Sequence, residues 1–304
     1  MPLFTVFTPT FNRADTISRV YDSLTLQTFR DFEWLIVDDG SQDGTRALVE
    51  NWQKNSTFPI HYFWQPNGHK KKAFNKGVRM AQGQLFLTAD SDDAFKPTAL
   101  ERLAHHWENI SVDERKYFVG VCGLCEDQYG KKVGDNFPGT WGIDSNSREM
   151  HYKYRVRGEK WGFSRTDILR QHPFPENIPG HVPEGVVWMT IARDYQTRFV
   201  NETFRIYYQG ANDQLTNSGN IGSNANGALY QKCITLSNEI QYFYTNPKHF
   251  LLEAARWTRF ALHTGSNRVK GINYYPKNFS GRLIIAITAP IGVIWWMIDN
   301  IKRK

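Results

Sequence analysis

Along the first hundred residues, short apolar or β-branched runs alternate with segments whose apolar residues recur at helical spacing. Residues 3–8, 34–37, 60–64 and 85–88 have strand length and strand composition. Between them, residues 16–28 follow a capping Asp15, residues 44–54 form a second helical pattern, and residues 71–82 form a third that stops before Gly83. Pro97 opens a fourth helix, running to Asn109, because proline is favoured in a first turn. This alternation predicts a mostly parallel α/β sheet with helices on both faces and right-handed crossovers. In such sheets ligands gather at the carboxyl ends of the strands.

The pattern loosens after residue 117. Residues 118–124 and 203–208 read as strands, residues 184–195 as a helix, and Gly130, Gly134, Pro138 and Gly139 as turns. Residues 212–226 are rich in Asn, Gly and Ser, which predicts a connection between two parts of the chain. Residues 229–244 and 247–263 then read as two helices, and residues 283–298 are almost wholly apolar.

Composition narrows the class. The chain has 304 residues, 40% of them hydrophobic and 14% aromatic, which excludes general disorder. Three cysteines exclude a disulfide scaffold and fit a reducing compartment. The start, Met1-Pro2-Leu3-Phe4-Thr5, has neither a basic segment nor a long apolar run, so no secretory signal is expected. The formal net charge is +7, but seven basic residues against Asp299 alone, from Arg268 onward, carry +6 of it. A near-neutral body with a basic end argues against nucleic acid and for an anionic surface met by the C-terminus.

Four polar loops fall at the predicted strand ends. Asp90, Asp92 and Asp93, in Thr88-Ala89-Asp90-Ser91-Asp92-Asp93, place three carboxylates within four residues, a pattern suited to Mg²⁺ or Mn²⁺ held together with phosphate oxygens; the plainer reading is a solvated acidic turn. In Asp38-Asp39-Gly40-Ser41, a carboxylate is placed to accept from a base N–H or a ribose, or else the stretch is an ordinary turn with Asp43 and Thr45 as caps. In Pro9-Thr10-Phe11-Asn12-Arg13, Phe11 suits base stacking and Arg13 suits phosphate, or else Phe11 packs the first helix onto the sheet. The basic run around Lys70, Lys71 and Lys72 begins a helix, where cations oppose the helix dipole unless an anion is bound; the plainer reading is a solvated basic turn. Cys122-Gly123-Leu124-Cys125 lacks the four ligands a structural zinc needs, so two buried strand residues are expected. His105-His106 is expected to be structural.

In order and spacing these loops resemble family 2 glycosyltransferases of the GT-A fold over roughly the first hundred residues. The resemblance rests on Pro9–Arg13, Gln27-Thr28-Phe29, Phe32-Glu33, Asp38–Ser41, Asp43-Gly44-Thr45, Asn67-Gly68, Lys70, Ala73, Asn75, Gly77, Ala81, Gly83 and Asp90–Asp93. It implies a GT-A domain over residues 1–210, with a nucleotide-binding half at 1–110 and an acceptor half at 111–210. A helical region over 211–304 follows it. It implies that Pro9, Phe11 and Asp39 line the nucleobase and ribose pocket, and that Arg13, Lys70 and Lys72 lie toward diphosphate or ribose. Asp90 and Ser91 are implied on ribose or sugar hydroxyls, and Asp92, with Asp90, at Mn²⁺ or Mg²⁺. Phe11 stands where a Tyr is common in the family.

In Pro183-Glu184-Gly185-Val186, Gly185 replaces the second acid of a family Glu-Asp pair, so Glu184 is the implied catalytic base, with Glu176 in reserve. Trp161, in Glu159-Lys160-Trp161-Gly162, is either core or an acceptor platform. The implied activity is inverting transfer from a nucleotide-sugar, UDP-linked, to a glycan or lipid-linked acceptor. A non-catalytic nucleotide-sugar sensor is the alternative, and it would have no need of Glu184. A sugar-phosphate nucleotidyltransferase would want a Gly-rich loop where Pro9–Arg13 stands. The apolar stretch 283–298 is shorter than the roughly 20 residues a spanning helix needs, and Pro290 and Gly292 interrupt it. With Trp295, Trp296 and Lys302-Arg303-Lys304 it predicts peripheral attachment at the cytoplasmic membrane face, or else packing on the domain or on a second subunit.

Overall fold

The computed structural model describes residues 1–208, 221–265, 268–269 and 272–301, without the side chains of 221–223 and 268–269. Strands β1 (Phe4–Thr10), β2 (Phe32–Asp38), β3 (Ile60–Trp64) and β4 (Leu85–Thr88) pair in the order β3-β2-β1-β4, all parallel. Helices α1 (Ser18–Thr25), α2 (Thr45–Asn55) and α3 (Lys70–Met80) connect them. The sheet continues beyond β4 through β9 (Lys160–Arg165), β6 (Phe118–Asp127), β10 (Gln196–Tyr207) and β5 (Ala94–Phe95). Here pairing turns mixed: β9 runs antiparallel to both β4 and β6, whereas β6 and β10 are parallel. The short strands β7 (Lys132–Val133) and β8 (Gly142–Ser145) pair with β6 and β10. Helices α4 (Ala99–Glu108), α5 (Ser147–Tyr152) and α6 (Thr166–Gln171) flank this part.

Alternation along the strands sorts the core into two layers. Phe4, Val6, Trp34, Ile36, Leu85 and Leu87 face one way, with Val20 and Leu24 of α1, Trp52 of α2 and Leu103 of α4 in the same buried cluster. Phe7 and Phe86 face the other way, stack with centroids 5.0 Å apart, and take Phe74 of α3 edge-on. Gly77 lets α3 approach: a Cβ there would lie 2.3 Å from the Phe7 ring.

The chain divides into two compact units, Met1–Pro173 with Thr190–Asn212 and Phe174–Met189 with Asp213–Lys304. The chain passes between these units after Pro173, Met189 and Asn212. Phe174–Met189, with Glu184 and most of α7 (Gly185–Ile191), groups with the helical part. The second unit contains α8 (Ile221–Asn238), α9 (Pro247–Thr264), the hairpin β11 (Arg268–Val269) and β12 (Ile272–Asn273), and α10 (Phe279–Ile301). Gly227 of α8 explains the grouping, because a Cβ there would fall 1.8 Å from the His181 carbonyl oxygen.

Several expectations are corrected. Asp15 does not cap α1; the helix starts at Ser18, after Ile17, without a side-chain cap. Of the expected connection 212–226, residues 212–220 lie outside the described residues, but from Ile221 the chain is already α8, because packing at Gly227 overrides polar composition. The helix expected over 229–244 ends at Asn238 and is followed by a 3₁₀ turn at Ile240–Tyr242. α10 runs for 23 residues through Pro290 and Gly292, longer than the apolar stretch suggested. The basic Lys270 and Lys302–Lys304 lie outside the described residues.

Trp161 is core, not a platform. It is buried, stacks on Phe95 with centroids 4.6 Å apart, and its Nε1 donates to the Thr88 carbonyl at 2.6 Å. Trp161→Ala should therefore lower the free energy of unfolding by about 3–5 kcal/mol in urea titration. An unchanged urea midpoint with altered activity would return Trp161 to the acceptor side.

Candidate active site

Because β1 to β4 are parallel, their carboxyl ends share one edge, and the four polar loops leave from it. The loops after β1 and β2 are bonded to each other. Asn12 N–H donates to Ser41 Oγ at 2.8 Å, and Asn12 Oδ1 accepts from Gln42 N–H at 2.9 Å. Asp43 Oδ2 accepts from Ala14 N–H at 3.0 Å, while Oδ1 accepts from Thr45 N–H and, at 2.6 Å, from its hydroxyl. Burial would raise the Asp43 pKa, but these hydrogen bonds outweigh it and lower it. Gly40 holds φ at +98°, and a Cβ there would press on Asn67 N at 3.0 Å, so the β2 loop requires glycine. Asn12 and His69 also sit at positive φ, one in the β1 loop and one at the start of α3.

The two acids ending β2 have different jobs. Buried Asp38 braces the loop: Oδ1 accepts from Gly40 and Ser41 N–H, and Oδ2 accepts from the Tyr62 hydroxyl at 2.6 Å. Asp39 is held through one oxygen only. Its Oδ1 accepts from Gln65 Nε2 at 2.7 Å and from Gly68 N–H at 3.0 Å, and among the described residues nothing donates to Oδ2. Phe11 is 46% exposed beside this edge. Arg13 follows Phe11 in the same loop, its N–H donating to Thr45 Oγ1.

The turn after β4 carries the charge. Asp90 Oδ1 is paired with Lys70 Nζ at 2.8 Å, and its Oδ2 with Arg205 at 3.1 Å. Arg205 also meets Asp93, and both side chains are buried, at 6% and 1% exposure. Asp93 Oδ1 accepts from Tyr208 N–H. Burial would raise the pKa of Asp90, but Lys70 and Arg205 hold it well below the usual carboxylate range. Burial pushes Asp93 up to about 7; Arg205 pulls against that, and the charges of Asp90 and Asp92 add to it. Burial would lower Arg205, but Asp90 and Asp93 raise it, so the guanidinium stays charged.

Asp92 differs from both neighbours. It is half-buried, and among the described residues nothing hydrogen-bonds its carboxylate; only its backbone carbonyl is engaged, by Arg19 at 3.0 Å. Arg19 in turn lies over the Tyr208 ring, 4.3 Å from its centroid. A hard divalent cation fits Asp92, whose oxygens are open, better than Asp90, whose oxygens both face cations. Among the described residues no three His, Cys, Asp or Glu side chains gather into a group able to hold a metal. A cation at Asp92 would complete its shell from ligand oxygens, as Mg²⁺ does with phosphates.

The first unit thus brings Pro9, Phe11, Arg13, Asp39, Lys70, Asp90, Ser91 and Asp92 to one strand-end edge, with Ser91 buried and Lys72 exposed one turn into α3. Glu184 is exposed on the second unit, directly before α7, where its carbonyl accepts from Val187 N–H; Glu176, also exposed, belongs to that unit too. Cys122 and Cys125 lie on β6 as free thiols, each pushed up to about 12 mainly by burial. His106 pairs with Glu202 at 2.8 Å. Arg205 is the residue that sequence reasoning missed. Its signal was an arginine inside the strand run Thr203-Phe204-Arg205-Ile206-Tyr207, where burial demands an acidic partner.

The family described as Glycosyl transferase family 2 matches residues 5–166. A GalNAc(5)-diNAcBac-PP-undecaprenol beta-1,3-glucosyltransferase of Campylobacter jejuni is 27% identical over 71% of this chain and 68% of its own length. Other curated relatives are matched over less than half of their length. The fold is shared with residues 1–349 of S. aureus TarS in complex with UDP-GlcNAc (TM-score 0.58, 20% identity, 87% of this chain and 73% of that one). It is also shared with the mannosyltransferase PcManGT of Pyrobaculum calidifontis in complex with GDP-Man and Mn²⁺ (TM-score 0.55, 15% identity, 98% and 84%).

The Arg205 cluster is testable without substrate. Arg205→Met strands the Asp93 carboxyl, so unfolding free energy should fall by about 3–5 kcal/mol. Adding Asp93→Asn should recover part of the loss, because the two sites are coupled. A single Arg205→Met variant as stable as the native protein in urea titration would contradict the pairing.

Proposed function

Taking as premise that the chain belongs to glycosyl transferase family 2, we propose that it transfers a sugar from a UDP-sugar to an acceptor hydroxyl with inversion at the anomeric carbon. The observation that carries this reading is the division of labour among the strand-end acids. Asp39 is held by Gln65 and Gly68 through one oxygen, and Asp92 has an open carboxylate beside a charge-balanced Asp90.

In this reading the base stacks on Phe11 beside Pro9, and Asp39 Oδ2 accepts the N3–H of uracil. Lys70, helped by Arg13 and Lys72, attracts the diphosphate. Binding would draw Lys70 between Asp90 and the phosphate oxygens, while Asp90 and Ser91 hold ribose or sugar hydroxyls. Asp92 would hold Mn²⁺ or Mg²⁺ together with diphosphate oxygens, and the bound ion would supply charge neutralisation for the departing UDP. Glu184 takes the acceptor hydroxyl proton as the new C–O bond forms opposite the breaking one. The Campylobacter relative, named for an acceptor carried on PP-undecaprenol, supports a lipid-linked acceptor here. In this reading the acceptor is met at the cytoplasmic face of a membrane.

Release of UDP from a donor panel, with and without Mn²⁺, tests the activity directly. Asp92→Asn should abolish turnover and weaken UDP binding in Mn²⁺, with the melting temperature unchanged. Full turnover of that variant, or of the native protein in excess EDTA, would remove the metal from the reading.

General bases contribute about 10²–10⁴-fold. Glu184→Gln should lower kcat by that order and leave donor affinity near native. Lost donor affinity with unchanged kcat would make Glu184 a sugar-binding residue. No effect on either would move the base to Glu176.

A further inference from the structure

Helix α10 has two faces with different surroundings. One is buried and tied to α9: Gly292 sits where a Cβ would lie 2.4 Å from the Ala255 carbonyl oxygen, and Asp299 is gripped by Arg259 at 2.5 and 2.6 Å and by His263 at 2.8 Å. On the other face every exposed position from Leu283 to Ile301 is apolar, and five of them are isoleucines: Ile287, Ile291, Ile294, Ile298 and Ile301. At 3.6 residues per turn and 1.5 Å per residue, these positions span an arc of about 140° and a length of about 27 Å.

We propose that this face lies in the interfacial plane of an anionic bilayer, with α10 parallel to the surface and α9 on its aqueous side. Three observations select that occupant. The stripe is wider than the narrow seam of a two-helix coiled coil, and no charged flank borders it to set a partner helix. Its ends are both cationic: Lys277 and Arg282 are exposed before it, and Lys302-Arg303-Lys304 follow it in the sequence. A second copy of α10 would meet cation with cation in either orientation, whereas anionic headgroups complement both ends.

Crossing the bilayer is excluded by the same contacts, although α10 is long and apolar enough for it. Its buried face is bonded to Arg259 and His263 of α9, and α9 also carries Glu253 and Arg256, paired at 2.7 Å. A spanning α10 would carry these charged groups into hydrocarbon. Lying flat, it sinks only its isoleucine face, with the partly exposed Trp295 and Trp296 near headgroup level. This inference concerns α10 alone and does not rest on the glycosyl-transfer reading, since binding is measured without substrate.

The test is flotation of the full chain with phosphatidylglycerol–phosphatidylcholine vesicles against pure phosphatidylcholine vesicles. The native protein should float with the anionic vesicles, and the double variant I287E/I294E should lose at least ten-fold of that binding. Both positions are more than half exposed, so the melting temperature should hold. Flotation by an equally folded I287E/I294E variant, or none by the native protein, would overturn the proposal. So would a detergent-free dimer, seen by ultracentrifugation, that the variant splits without any vesicle binding. A membrane-impermeant maleimide added outside the vesicles should label both S280C and N300C, which lie outside the isoleucine set; labelling of only one would mean that the helix crosses and would overturn the in-plane placement.

Discussion

Three carboxylates within four residues cannot share a half-buried turn unless positive charge is brought to them. The fold brings it from two directions. Lys70 arrives from the first turn of α3, 20 positions before Asp90, and Arg205 arrives from β10, 115 positions after it. Once Asp90 and Asp93 are satisfied this way, Asp92 is the acid left open. The turn is thus divided into a structural part and a part free to bind, and the division depends on where β10 and β5 pair.

The same economy shapes the β2 turn. Asp38 spends both oxygens on the loop and on Tyr62, and that rigidity lets Asp39 spend only one. Burial and the bond to Asp38 both raise the Tyr62 pKa, so the phenol remains a donor. Gly40 permits the turn, and Asn12 and His69, both at positive φ, mark the neighbouring loops as held by their surroundings and not by local preference.

In the second unit, buried or half-buried charges again mark where helices must register. Glu253 takes Lys232 from α8 and Arg256 from its own helix, and Asp299 ties α10 to α9 through Arg259 and His263. Such pairs are costly to break because the remaining charge is left buried. They orient α10, so that its apolar residues divide between a protein-facing and an outward-facing side.

Much of this protein was legible from local pattern. Period-two and period-3.6 signals located β1 to β4 and the helices between them to within a few residues, because each is set by neighbours a few positions away. The strand-end acids, Phe11 and the lysine run were legible for the same reason: turn chemistry is local, and parallel topology sends every such loop to one edge. Tertiary structure alone decided the rest. Trp161 became core because β9 pairs with β4 and β6. Glu184 was assigned to the helical unit because α8 packs on the backbone at His181. Arg205 became the counter-ion of two acids more than a hundred positions away. Each of these depends on which distant segments pair, and one chain's local periodicity carries no record of that.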